Sequence, residues 1–118
     1  MTVFDSSALL AYLFGEPGAE RVRDEFDAEA LVCSAASWSE VNQKVRARGL
    51  DWRWARPLLL RFGASIEPVT IDDAEAAAEL WAANQSLSRA DRLCITLGAR
   101  LGARVLTADR AGEGLPGV

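Results

Sequence analysis

Histidine is missing altogether from the 118 residues, which removes every mechanism that needs an imidazole base. Cysteine is nearly as scarce. Cys33 and Cys94 each sit inside an apolar stretch, LVCSAA and LCITL, rather than paired as C-x-x-C. With two thiols and no imidazole a structural zinc site is excluded. The expectation is two buried, small, apolar side chains in a reducing compartment. Long hydrophobic runs are lacking too: the longest, Ala8 to Phe14, is far short of the roughly 20 residues that cross a bilayer. The N-terminus MTVFDSS has no basic region followed by a long apolar segment, so it is not read as a signal peptide. A soluble cytoplasmic protein that does not enter membranes is expected. Its chemistry must run on carboxylates, hydroxyls, a thiol or a bound ion.

What is present suffices for one domain. Half of the residues are hydrophobic, enough for a core without disulfides, and no stretch reads as a linker, so residues 1–118 are taken as a single unit. The net charge of −4 runs against the basic face expected of a nucleic-acid protein. The objection softens on counting. Of 17 acids, four (Asp5, Glu40, Asp91 and Asp109) are singled out below, which leaves 13 against 13 bases. A site of four acids holding one or two divalent cations is neutral or positive toward a phosphate.

Along the chain, Thr2-Val3-Phe4 reads as a short strand running into Asp5, and Ser6-Ser7 opens an apolar helix, ALLAYLF. Gly15 to Gly18 breaks it. Ala19 to Ala28 is amphipathic, with Val22 and Phe26 on one face. Ala30 to Cys33 reads as a buried strand and Ser34 to Arg48 as a helix closed by Gly49. Asp51 caps the next helix, WRWARPLLLRFG, in which Pro57 should introduce a kink or delay the start. Ile66 to Val69 is a strand interrupted by Pro68 and so placed near an edge. Asp72-Asp73 opens an alanine-rich helix to about Asn84, Ser88 to Asp91 opens another, and Arg104-Val105-Leu106 is the last strand before Thr107-Ala108-Asp109. Strands alternating with helices imply a three-layer α/β/α domain around a short parallel sheet. Right-handed crossovers bring the strand-to-helix junctions to one edge, where ligands bind in such folds.

Asp5 follows the first strand and Asp109 nearly follows the last; Glu40 lies two turns into its helix and Asp91 in the first turn of its own. Converging carboxylates repel and demand a cation. Oxygen donors without His or Cys suit Mg²⁺ or Mn²⁺, one or two ions, and phosphoryl chemistry. Each acid also has a plainer reading. Asp5 and Asp109 can cap helices, and Ser37-x-x-Glu40 and Ser88-x-x-Asp91 both match a capping box.

The wording around these acids goes further. The segments VFDSSALLAYLFGEPGAE, SAASWSEVNQKVRARG and LSRADRLCITLGARLGARVLTADR, in that order, resemble the VapC-type toxins of the PIN-domain family over nearly the whole chain. The resemblance implies an Mg²⁺- or Mn²⁺-dependent endoribonuclease, usually dimeric, restrained by a cognate VapB-like antitoxin. By matching position Asp5 and Asp91 would be the main metal ligands, with Glu40 and Asp109 completing the site. Ser6 and Thr107 would hydrogen-bond the carboxylates or a substrate phosphate. The sequence departs from the family pattern at its end: where TADRAW and a final strand are usual, it reads TADRAGEGLPGV. The final edge strand is therefore expected to be missing.

Other features admit more than one reading. Arg46, Arg53, Trp52 and Trp54 fit an antitoxin groove, an RNA platform, or arginines over partly buried tryptophans. Arg89 and Arg92 adjoin Asp91 and would meet substrate phosphates or form local salt bridges. Trp81 is read as core or dimer contact. Two rival functions follow. A haloacid-dehalogenase-like phosphatase would need an acid at Ser7 and a core lysine, and Lys44 is the only lysine. A catalytically inactive PIN-fold module that only binds antitoxin would gain no stability from Mn²⁺.

Overall fold

Residues 1–28 and 30–108 are described by the structure, a computed structural model. Alternation along the strands sets up its two layers of core. In β1 (Thr2–Phe4) Val3 and Phe4 point to opposite faces of the sheet. Phe4 joins Leu31 and Cys33 of β2 (Leu31–Ser34) and Leu106 of β4 (Arg104–Leu106) on one face. Val3 joins Val32 and Val105 on the other. All three strands are buried on both sides, as a covered parallel sheet requires.

The first face is closed by α1 (Ser6–Phe14), α2 (Ala19–Ala28), α3 (Ala35–Ala47) and α4 (Trp52–Leu60), which contribute Ala8 and Leu9, Val22 and Phe26, Val41 and Val45, and Ala55 and Leu59. On the second face α6 (Arg89–Leu101) lays Cys94 and Leu97 on the sheet. Outside it packs α5 (Ile71–Ala83), tied on by the Arg92 guanidinium donating to the Ala77 carbonyl at 3.0 Å and by the Arg100–Asp73 ion pair at 3.0 Å. Among the described residues no helix is long and apolar enough to cross a membrane.

Strand β3 (Ser65–Glu67) completes a wholly parallel sheet in the order β3-β2-β1-β4. It lies at an edge, as Pro68 demanded, but begins and ends earlier than the sequence suggested, because a proline contributes no N–H to the ladder. β2 runs one residue later than expected, with Ala30 only offering its carbonyl to the Thr2 N–H at 3.0 Å. Pro57 does not interrupt α4, which Asp51 caps through the Arg53 N–H at 2.9 Å. Gly49 follows the end of α3 in the left-handed region, φ 73°, as a terminating glycine should. The expected loss of a final strand concerns 109–118, outside the described residues.

The chain passes from β1 to β2 to β3 in one direction, then crosses to the other side of β1 for β4. The direction of winding thus reverses between β1 and β4, the place where open α/β sheets leave a crevice beyond their carboxyl ends.

Candidate active site

At that crevice β1 ends in Asp5. Its backbone is extended and caps α1, with Oδ1 accepting from the Ala8 N–H at 2.8 Å. The plainer reading of Asp5 is therefore true, and it is incomplete. The carboxylate is only 5 % exposed. Its Oδ1 also accepts from the Ser7 hydroxyl at 2.7 Å, and the Thr107 hydroxyl, just past β4, bonds the same carboxylate. Ser7 in turn accepts from the Ala108 N–H at 2.9 Å and lies 3.2 Å from the Thr107 hydroxyl. Ser7 is thus the joint between the ends of β1 and β4. The sequence reading gave this role to Ser6, which is buried as the first residue of α1. The D-x-S spacing at a helix start was the available signal, since the third residue of such a turn can reach back to the capping side chain.

Burial raises the pKa of Asp5 above its ordinary value; the bonds from Thr107, Ala8 and Ser7 oppose the rise, and the negative charge of Asp91 adds to it. Asp5 and Asp91 thus share one field. Asp91 forms a full capping box at the start of α6. Its N–H donates to Ser88 Oγ at 3.1 Å, and its Oδ2 accepts from the Ser88 N–H at 3.3 Å.

Glu40 is half-buried on α3, one helical turn before Lys44, and residues four apart share a helix face. Lys44, Ala47 and Arg48 form one wall of a groove of about 590 Å³ that opens at Ser7 and Ala108. Glu40 is thereby placed on the α3 face nearest the head of that groove. Asp109 lies outside the described residues. Among the described residues no group of three or more His, Cys, Asp or Glu side chains is arranged to hold a metal ion. The pairing of Asp5 with Asp91 is what the described chain brings together.

Both thiols lie below the site. Burial pushes Cys33 up to about 12, helped by the charge of Asp5. Cys94, on the opposite face of the sheet, is likewise driven well above the usual thiol range by burial and by Asp5. Neither is a nucleophile at neutral pH.

A model of the PIN domain matches residues 2–113. The chain belongs to the PIN-domain family. No curated protein is significantly similar to it. Among solved structures, the PIN-domain chain is similar to Mycobacterium tuberculosis VapC20, a sarcin–ricin loop cleaving toxin. The TM-score is 0.78 at 16 % identity, covering 100 % of this chain and 98 % of that one. A chain of a toxin–antitoxin complex from Klebsiella pneumoniae is similar with a TM-score of 0.77 at 20 % identity, covering 100 % and 95 %. At these identities the likeness is one of fold.

The remaining candidates are dispersed over the PIN domain. Trp52 is half-buried and meets Trp38 edge-on, with ring centroids 5.1 Å apart. Trp54 is 46 % exposed. Arg53 is exposed and forked onto the Asp51 that caps its own helix, at 2.9 Å. Arg46 donates to Asn42 Oδ1 at 2.7 Å. Arg89 and Arg92 turn toward α5, where with Val69 and Trp81 they line a cavity of about 460 Å³. Arg92 holds α5 by donating to the Ala77 carbonyl. Trp81 is not core, being 49 % exposed.

Proposed function

We propose that this PIN-domain protein is an Mg²⁺- or Mn²⁺-dependent endoribonuclease of the toxin type, hydrolysing RNA phosphodiester bonds and restrained by a VapB-like antitoxin. The carrying observation is the buried Asp5 carboxylate at the winding reversal of the sheet, coupled to the charge of Asp91. A carboxylate that burial and a second carboxylate both disfavour is stabilised by a cation. The donor chemistry fits a hard divalent ion, since the side chains that bond or face Asp5, those of Ser7, Thr107 and Asp91, offer oxygen. In that reading Asp5 and Asp91 hold one or two ions, and Glu40 and Asp109 complete the set. A bound divalent cation would make a water easier to deprotonate and would offset charge on phosphorus and the leaving oxygen.

The chain's own residues have separate tasks. Ser7, at the start of α1, and Thr107, just past β4, fix the Asp5 carboxylate and favour its ionised form by donating to it. The Ser88–Asp91 box fixes the start of α6 and, with it, the second carboxylate. The antitoxin is inferred from the kinship in fold with a toxin–antitoxin complex, and the homodimer from the family resemblance.

The test is cleavage of a mixed RNA pool by the purified protein with Mn²⁺, beside a chelator control and Asp5→Asn. Cleavage that disappears in both controls supports the nuclease. No cleavage, together with no Mn²⁺-dependent rise in Tm, removes it and leaves the inactive antitoxin-binding module.

A further inference from the structure

The groove that opens at Ser7 extends beyond the carboxylate that Ser7 holds. It runs between α1 and α3, away from the sheet edge. Its floor is apolar (Leu10, Ala11, Phe14 and Pro17), and its α3 wall carries Lys44 and Arg48. The Arg48 guanidinium lies 3.9 Å from the centroid of the Phe14 ring and 3.7 Å from Glu16 at the far end. Lys44 and Arg48 are four residues apart on one helix face, about 6 Å along the axis. Glu40 stands the same distance before Lys44 on that face.

We propose that this groove is the substrate-strand subsite of the nuclease. The RNA strand leaving the Asp5–Asp91 centre runs down it, with Lys44 and Arg48 taking successive phosphates and the floor of Phe14 and Leu10 receiving a base. The inference rests on the proposed nuclease activity and deepens it.

Three features select RNA as the occupant. The groove is continuous with the centre, sharing Ser7 and Ala108 with it. Its cations are spaced along one side, as a backbone carrying one charge per nucleotide requires, while Leu10, Ala11, Phe14 and Pro17 offer a base an apolar floor, with the Glu16 carboxylate at the Arg48 end. Arg48 is held over the Phe14 ring and beside Glu16, so its guanidinium is set in place before a phosphate arrives and little rotamer freedom is lost on binding. In this arrangement Lys44 and Arg48 are positioning residues. They hold the strand and touch no reacting atom.

The test uses the full chain and a short fluorescein-labelled single-stranded RNA of mixed sequence. Anisotropy is read against salt in chelator, and steady-state cleavage is read in Mn²⁺. Lys44→Ala and Arg48→Ala are compared with Arg23→Ala, an equal change of charge on the exposed face of α2. The expected result is a fall of about 0.7 in the log–log salt slope for each groove variant, one phosphate contact apiece. KM should rise severalfold with kcat unchanged, and Arg23→Ala should keep the wild-type slope. Lys44→Arg restores the slope if the contact is to phosphate. If the wild type cleaves RNA while the groove variants keep its slope and KM, the proposal is overturned and the groove is left to a protein partner. Absence of both RNA binding and cleavage in the wild type would instead overturn the nuclease reading itself.

Discussion

Three side chains bear separable predictions. Asp5 carries a penalty that metal should relieve. Its folded pKa lies above the ordinary 3.8 because of burial, so its contribution to stability is full below that value and is lost as pH rises through the folded one. In chelator at neutral pH, Asp5→Asn should melt no lower than the wild type, since the amide oxygen can still accept from Ser7 and Ala8. It should also lose the Mn²⁺-induced rise in Tm, and cleavage should fall on the order of 100-fold or more. A variant that Mn²⁺ still stabilises as it does the wild type would exclude Asp5 as a ligand. Ser7 joins Asp5 to Ala108 and Thr107. Ser7→Ala is expected to weaken Mn²⁺ binding about 10- to 100-fold, as loss of an outer-shell partner does. An unchanged Mn²⁺ titration would reduce it to a helix-start hydroxyl. For Asp91 capping and metal binding can be separated. Asp91→Asn keeps an oxygen for the Ser88 N–H and should leave stability within about 0.5 kcal/mol, whereas Asp91→Ala should cost about 1 kcal/mol. Both should abolish the Mn²⁺ response. A response surviving in the Asn variant means that the residue only caps.

The elements were largely legible because their signals are local. Val3 and Phe4 alternate, Ser88 and Asp91 stand three apart, and Gly49 follows the last helical turn of α3, each within a few residues of what it determines. What escaped was fixed by partners distant in sequence. Nothing near Ser7 announces that Ala108 will donate to it, and the α1–α3 groove exists only once two helices separated by α2 and β2 lie side by side. The same holds for the contact of α6 with β4. A Cβ on Gly98 would stand 2.7 Å from Val105 Cγ2 and 3.0 Å from the Ala103 carbonyl oxygen. The close approach fixes where α6, and so Asp91, stands against the strand that precedes Thr107. Gly98→Ala is therefore expected to cost about 1–3 kcal/mol by overpacking, read from the midpoint of urea unfolding. A wild-type midpoint would show that Val105 can turn aside.

For the whole molecule, the acidic total ceases to oppose a nucleic-acid function once charge is divided by place. Asp5 and Asp91 stand at the carboxyl edge of the sheet, and Lys44 and Arg48 beside α1. If the site holds Mn²⁺, free ion at 100 times its Kd should add about 2.7 kcal/mol to stability. For a domain of this size that is a rise in Tm of about 10 °C, and a melting curve indifferent to Mn²⁺ at every concentration would exclude the site. The nearness of Asp5 and Asp91 was reachable from sequence because strand ends and helix starts gather at one edge by the rules of winding. Of the hydroxyls that meet Asp5, Thr107 was named from sequence and Ser7 was not, since a serine at a helix start is an ordinary residue until the fold gives it neighbours.

The two thiols carry a consequence of another kind. Cys33 and Cys94 are buried on opposite faces of the same sheet, and in the folded protein both are almost wholly in the unreactive SH form. An alkylating reagent therefore modifies either one only in molecules whose layers have parted. The helices of one face guard Cys33 and α6 guards Cys94, so the order in which mass spectrometry finds the two adducts tells which layer lifts first. The protein carries its own clock for opening, with one hand on each side of the sheet.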